Sequence, residues 1–277
     1  MFIQDEKTSR LDLSRGRVAV TIPNESGSYD TLLHIGHARS ILVGSLICES
    51  IGIPFHLRID GEMDTFHQDG SMAIVDISEM TSWMGIKVDK MYWHPQFRPS
   101  DLKIKKVVKN EDDFSDFTRI LDSNPRLLEQ RRFPIGSPYL GMVCDDIIDH
   151  PGTLIIRGAE YSIWGKYLDP VMSSTIKNHR IIEEYLHHLA GFRVNEIILP
   201  LIMYGSGKMS KSSASTIHWK VLQMASADDA KRYLIASVID PIDPFSSLDM
   251  DFDISHLGDR PHVWSWESWA RMVRGEF

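Results

Sequence analysis

Apolar residues in this chain fall into short runs that alternate between a strand period and a helix period. Residues 17–23 form a compact apolar run closed by Pro23, the pattern of a buried strand. Ile41, Leu42, Ser45 and Leu46 then recur at helical spacing, and Gly52 supplies a stop, which predicts a helix over 35–50. A second strand is expected over 53–59, bounded by Gly52 and the polar run 60–64. Ile74, Ile77, Met80 and Met84 make one stripe of a helix over 71–84 that ends at Gly85. Strands that alternate with helices predict an α/β fold, a doubly wound parallel sheet. Ligands on such sheets gather beyond the C-terminal strand ends, where the first helix begins.

The pattern breaks over 94–137, where prolines, lysines and acids dominate, and this stretch reads as a small inserted subdomain. The sheet is expected to resume over 139–144 and 152–157. A helix over 173–190 carries Ile182, Tyr185, Leu186 and Leu189 on its core side, and one strand over 194–203 follows. A helix over 227–238 precedes a Pro/Asp-rich segment and a tail in which Trp264, Trp266 and Trp269 are expected to dock on the body. The resulting organisation is an N-terminal arm (1–16), a first half of a nucleotide-binding domain (17–93), the insertion (94–137), a second half (138–220) and a short helical C-terminal region (221–277).

Two polar clusters stand out against this frame. His34 and His37 flank Gly36 at the predicted start of the first helix, with unpaired backbone N–H groups and the positive end of the helix dipole beside them. That setting suits an anion. Gly36 removes a side chain that would hold a ligand away. Far downstream, after an apolar strand, comes Lys208-Met209-Ser210-Lys211-Ser212. Two lysines in a small polar loop suit a polyphosphate that is gaining charge. Taken singly, the first cluster also reads as capping and the second as a solvated turn; their joint presence between strands is the stronger signal. Arg157 closes an apolar strand, where an unpaired cation is costly, so an anionic partner is expected.

Composition adds limits. The chain has 277 residues, 43% hydrophobic and 25% charged, as in ordinary globular proteins. No apolar run approaches the roughly 20 residues needed to cross a bilayer. The polar N-terminus does not read as a signal peptide, and cytoplasmic localisation is expected. Cys48 and Cys144 have no metal spacing and read as small buried residues. A net charge of −8 argues against broad nucleic-acid binding. A local basic patch exists at Lys103, Lys105, Lys106 and Lys109, followed by Arg126, Arg131 and Arg132; it reads equally as a solvated face.

At the two polar clusters the chain resembles class I aminoacyl-tRNA synthetases: the first matches their HIGH signature and the second their KMSKS signature. Within that class it is most similar to glutamyl-tRNA synthetases, through Leu33-His34-Ile35-Gly36-His37-Ala38-Arg39, Leu57-Arg58-Ile59-Asp60 and Ile155-Ile156-Arg157-Gly158-Ala159-Glu160. The resemblance implies a Rossmann-like catalytic domain of the class I synthetase type, without an anticodon-binding domain. It implies ATP-dependent activation of an amino acid as an aminoacyl-adenylate, with Mg²⁺ accompanying the triphosphate, and transfer to a tRNA acceptor end or another acceptor. His34, His37, Lys208 and Lys211 would be catalytic. Gly36, Glu160, Met209, Ser210 and Ser212 would join them in binding ATP. Asp60, Tyr139 and Arg157 would bind the amino acid, Asp60 its amino group and Arg157 a glutamate side chain. Asp60 also reads as an exposed turn aspartate, and Arg157 as half of a structural ion pair. Two departures weaken a glutamate assignment: residues 20–24 lack the family's first-strand arginine, and Met142 stands near the place of its asparagine. A nucleotidyltransferase acting on another acid, and a non-catalytic synthetase-like regulatory protein, are the alternative functions.

Overall fold

The computed structural model describes residues 13–21, 33–61, 71–95, 112, 115, 116, 119, 144, 152–158, 195–205, 207–209, 217–248, 252–258 and 262–276, and labels here number the described elements in chain order. Strand β1 (Arg15–Thr21), helix α1 (Ile35–Ile51), strand β2 (Phe55–Gly61), helix α2 (Ser71–Trp83) and strand β3 (Lys90–Pro95) form the first half. Strands β4 (Thr153–Gly158) and β5 (Asn195–Leu199) complete a five-stranded parallel sheet of order β3-β2-β1-β4-β5. This is the Rossmann-like α/β architecture that the alternating pattern implies. The strand order turns at β1, so the crevice at the β1/β4 boundary is its topological switch point.

Helix α1 begins and ends where local chemistry dictates. His34 is its N-cap in an extended conformation, and Gly52, at φ 72°, ends it with a left-handed turn whose N–H donates to Cys48 and Glu49 carbonyls. Its buried side packs on the sheet: Ile35, Ala38, Ile41, Leu42 and Ile47 join Val18, Val20, Leu57, Ile59, Leu154, Ile156, Ile197 and Leu199 in one core. Gly44 lets the helix approach closely, since a Cβ there would lie 2.6 Å from Val18 Cγ2. On α2, Ile77, Met80 and Met84 are fully buried and Ile74 packs beside them, as the stripe requires.

Three expectations are corrected. The run 194–203 is not one strand. It breaks at Pro200, which has no N–H to give a ladder, and continues as β6 (Ile202–Tyr204) in a second, three-stranded sheet of order β7-β6-β8. Strand β3 is read from no clear alternation in the sequence, yet it extends the sheet through His94 and Pro95. Cys144, expected in a strand, is helical and buried. The expected helix over 173–190, the arm before residue 13, most of the 94–137 insertion and the basic patch lie outside the described residues.

After β7 (Gly207–Lys208) the chain forms a 3-10 turn over Trp219–Met224, helix α3 (Ala227–Ile239), strand β8 (His262–Trp264) and helix α4 (Trp266–Arg274). Ser226 caps α3, accepting from the Asp229 N–H. Trp264 and Trp269 are buried against Tyr233, as the docked tail requires, whereas Trp266 stays 46% exposed. Cys48 and Cys144 are both buried. Burial, then Asp89, pushes the Cys48 thiol up to about 12, which leaves it unreactive.

Candidate functional site

The first helical turn is built by its two histidines. The Gly36 N–H donates to His34 Nδ1 at 3.0 Å, and the His34 N–H donates to His37 Nδ1 at 3.2 Å. This is a capping box made of imidazoles. Because each Nδ1 accepts, the proton of each neutral ring sits on Nε2, so each ring presents Nε2 as a donor. The rings stack at 3.8 Å between centroids. Gly36 is required by this packing: a Cβ would lie 2.7 Å from His34 Cε1 and 3.0 Å from Ile202 Cγ2.

Ile202 opens the hairpin that carries the second cluster. β6 pairs antiparallel with β7, Met203 facing Lys208 and Tyr204 facing Gly207. Gly205 takes φ 62°, a conformation that glycine adopts without strain at such a reversal. The Met209 N–H donates to the Ile202 carbonyl at 3.1 Å, and the Met209 side chain is buried in the core that holds Leu33 and Ile35. On the far side of residues 210–216 the chain returns to the same place. The Ile35 N–H donates to the Ile217 carbonyl and the Trp219 N–H to the Leu33 carbonyl, each at 3.1 Å, and His34 faces His218 across this bridge. Both flanks of the lysine loop are thus docked on the residues that begin α1. Lys208 contributes its backbone to β7; its side chain, and Ser210, Lys211 and Ser212, lie outside the described residues, as do Tyr139 and Glu160.

His218, Trp219 and Asp76 were not singled out by the sequence. Asp76 on α2 accepts from Trp219 Nε1 at 2.7 Å and lies 3.3 Å from His218 Nε2, so α2 braces the return strand. For His218 and Trp219 the hint was their place soon after the lysine loop; Asp76 on α2 had none.

A second polar group lies on the sheet. Since Val18, Val20, Leu57, Ile59, Ile156 and Ile197 face α1, the alternate residues Arg17, Ala19, Arg58, Asp60, Arg157 and Glu196 occupy the other face. Asp60 is not a turn aspartate. It is fully buried on β2 and takes both ends of the Arg58 guanidinium, 2.7 Å from Nε to Oδ1 and 3.0 Å from Nη2 to Oδ2. Arg157 finds its anion inside the chain: its Nη2 lies 2.6 Å from Glu196 Oε2 on the neighbouring strand. Ala19, on the central strand between them, is exposed. The middle of a parallel sheet is ordinarily covered on both faces, so the exposed Ala19 is a gap in that cover beside the β1/β4 switch point, where ligands on such sheets gather.

The fold is a Rossmann-like α/β fold with a five-stranded parallel sheet, and solved synthetase structures share it. The similar solved structures include a glutamate-tRNA synthetase from Elizabethkingia anophelis (TM-score 0.53, 15% identity, covering 94% of this chain and 70% of that one). Another is a glutamate tRNA ligase from Elizabethkingia meningosepticum in complex with its amino acid (TM-score 0.52, 16% identity, 93% and 68%). At such identities the likeness is one of fold. No protein-family model and no curated protein matches the chain. Among the described residues no helix is long and apolar enough to cross a membrane.

Proposed function

We propose that this protein activates an amino acid with ATP and passes the aminoacyl group to an acceptor, a tRNA end or another nucleophile. What supports the reading is the meeting of the two motifs' flanks: Ile202, Ile217 and Trp219 touch the residues that open α1, and the Met209 N–H donates to the Ile202 carbonyl. In the proposed reaction a carboxylate oxygen of the amino acid attacks the α-phosphorus of ATP. The bond to the β-phosphate oxygen breaks and pyrophosphate leaves. The acceptor's nucleophile then displaces AMP from the acyl carbon. Catalysis of such in-line transfer is mainly positioning and charge stabilisation.

His34 and His37 would donate from Nε2 to phosphate oxygens, Gly36 letting the His34 ring pack over the turn, with the Met209 backbone and Glu160 completing the nucleotide site. Lys208 and Lys211, in a loop shaped by Ser210 and Ser212, would neutralise the departing pyrophosphate. Tyr139 and Arg157 are proposed to line the amino-acid side of the crevice, with Asp60 buried behind it against Arg58. Among the described residues no group of His, Cys, Asp or Glu could hold a metal ion. Mg²⁺ would therefore arrive on the triphosphate, as it commonly does.

The test is amino-acid-dependent exchange of pyrophosphate into ATP. Lys211→Ala is expected to lower exchange roughly 10²–10³-fold while ATP still binds. Unchanged exchange removes Lys211 from the mechanism. Firm ATP binding without exchange for any amino acid replaces the enzymatic reading with a regulatory one.

A further inference from the structure

The crevice floored by Ala19 has a definite charge pattern, and that pattern bears on the substrate. On β2, Ala19's register partner is Arg58, whose guanidinium is met by Asp60 at Nε and Nη2. On β4, Val18 pairs with Ile156, so Arg157 follows Ile156 as Ala19 follows Val18. Arg157 is held by Glu196, and the two side chains are 25% and 19% exposed, so part of the pair is open to solvent on the same face as Ala19. Each of these two cations thus has a carboxylate of the chain's own. A substrate carboxylate approaching Arg157 would meet Glu196 beside it, and taking Arg157 for itself would strand Glu196 in a half-buried place. Both effects oppose an anion. A neutral polar side chain meets no such opposition: it can accept from the Arg157 N–H and donate to a Glu196 oxygen together.

We propose that Glu196 determines the amino-acid specificity of this site, excluding acidic side chains at Arg157 and selecting a neutral polar one of the carboxamide or hydroxyl class. This rests on the activation reading above. Selection here is a difference between two affinities, and Glu196 supplies its repulsive part.

The experiment compares the wild-type chain with Glu196→Gln, which keeps the shape and removes the charge. Pyrophosphate exchange is measured for all the standard amino acids, with glutamine, asparagine, serine, threonine, glutamate and aspartate compared directly, together with the shift in melting temperature that each produces. Wild type is expected to prefer a neutral polar amino acid over glutamate by about tenfold or more in kcat/KM. Glu196→Gln should shrink that ratio by about tenfold or more, chiefly through a lower KM for glutamate. Glutamate or aspartate as the best wild-type substrate overturns the inference and leaves the activation reading intact, as does an unchanged ratio in the variant. Exchange with none of the amino acids ends the activation reading. The melting series then decides the inference: stabilisation by a neutral polar amino acid over glutamate upholds it, and stabilisation by glutamate, or by none, overturns it. Should Glu196→Gln not fold, the wild-type ranking by both measurements decides alone.

Discussion

Asp60 and Arg58 illustrate how much rests on single residues in this sheet. Both side chains are almost wholly removed from water, 0% and 1% exposed, and they form an ion pair with each other. Replacing Asp60 with Asn leaves the guanidinium buried beside a neutral amide. Breaking a buried pair from one side typically costs about 3–5 kcal/mol, so Asp60→Asn should lower unfolding free energy by that order in a denaturant titration. The ion pair between Lys87 and Asp89 is the contrast. Its Lys87 side chain is 86% exposed, and Lys87→Met should leave the denaturation midpoint unchanged. The motif signature L-R-I-D was legible in the sequence. That its aspartate faces its own arginine was not, because an i, i+2 pair shares a face only once the segment is known to be a strand.

At the scale of elements, α1 is the part most fully written into the local sequence. Its stop at Gly52 and its stripe follow from residue type alone. Gly52 sits at φ 72° with open space around the position where a Cβ would lie, so the cost of Gly52→Ala is conformational. It should destabilise the protein by about 1 kcal/mol, read as a fall in melting temperature with no change in exchange activity. The β5–β6 corner was misread for the opposite reason. Seven apolar positions in a row, 197–203, carry no sign of which sheet they join. Pro200 divides them, and Arg39 of α1, fully buried, donates through Nη2 to the Pro200 carbonyl. Burial, partly offset by Tyr233, lowers the Arg39 pKa to about 9. The helix carrying the histidines thereby holds the corner that starts the lysine-bearing hairpin.

At the scale of the molecule, the C-terminal segment is bound into the same core. His262 on β8 is 2% exposed. Its Nδ1 lies 2.9 Å from the Pro241 carbonyl and its Nε2 is 3.5 Å from Tyr233 Oη. A neutral ring donates to the carbonyl from Nδ1 and accepts at Nε2. Burial first, then the Arg39 charge, lowers its pKa from 6.5 to about 4. Between these values the unfolded chain takes up a proton that the folded chain refuses. Stability therefore rises with pH through this window and is lost as pH falls from 6.5 toward 4. The full difference is about 3 kcal/mol at 1.36 kcal/mol per pKa unit. His262→Asn should be less stable at pH 7 and should show a shallower loss between pH 6.5 and 4, measured by denaturation at a series of pH values.

The sequence by itself determined the alternating α/β pattern, the helix bounds of α1, α2 and α3, and the two motifs with their residue types. Each of these is set by neighbours a few positions away, through periodicity, capping and the special backbone of glycine and proline. Tertiary structure alone decided who meets whom. Arg157 reaches Glu196 across 39 positions only because β4 and β5 lie side by side. His34 faces His218 only because the chain returns to α1 after residue 216. Charge pairing depends on strand order and register, which are settled by packing the whole core, and a linear pattern of apolar and polar positions does not contain that order.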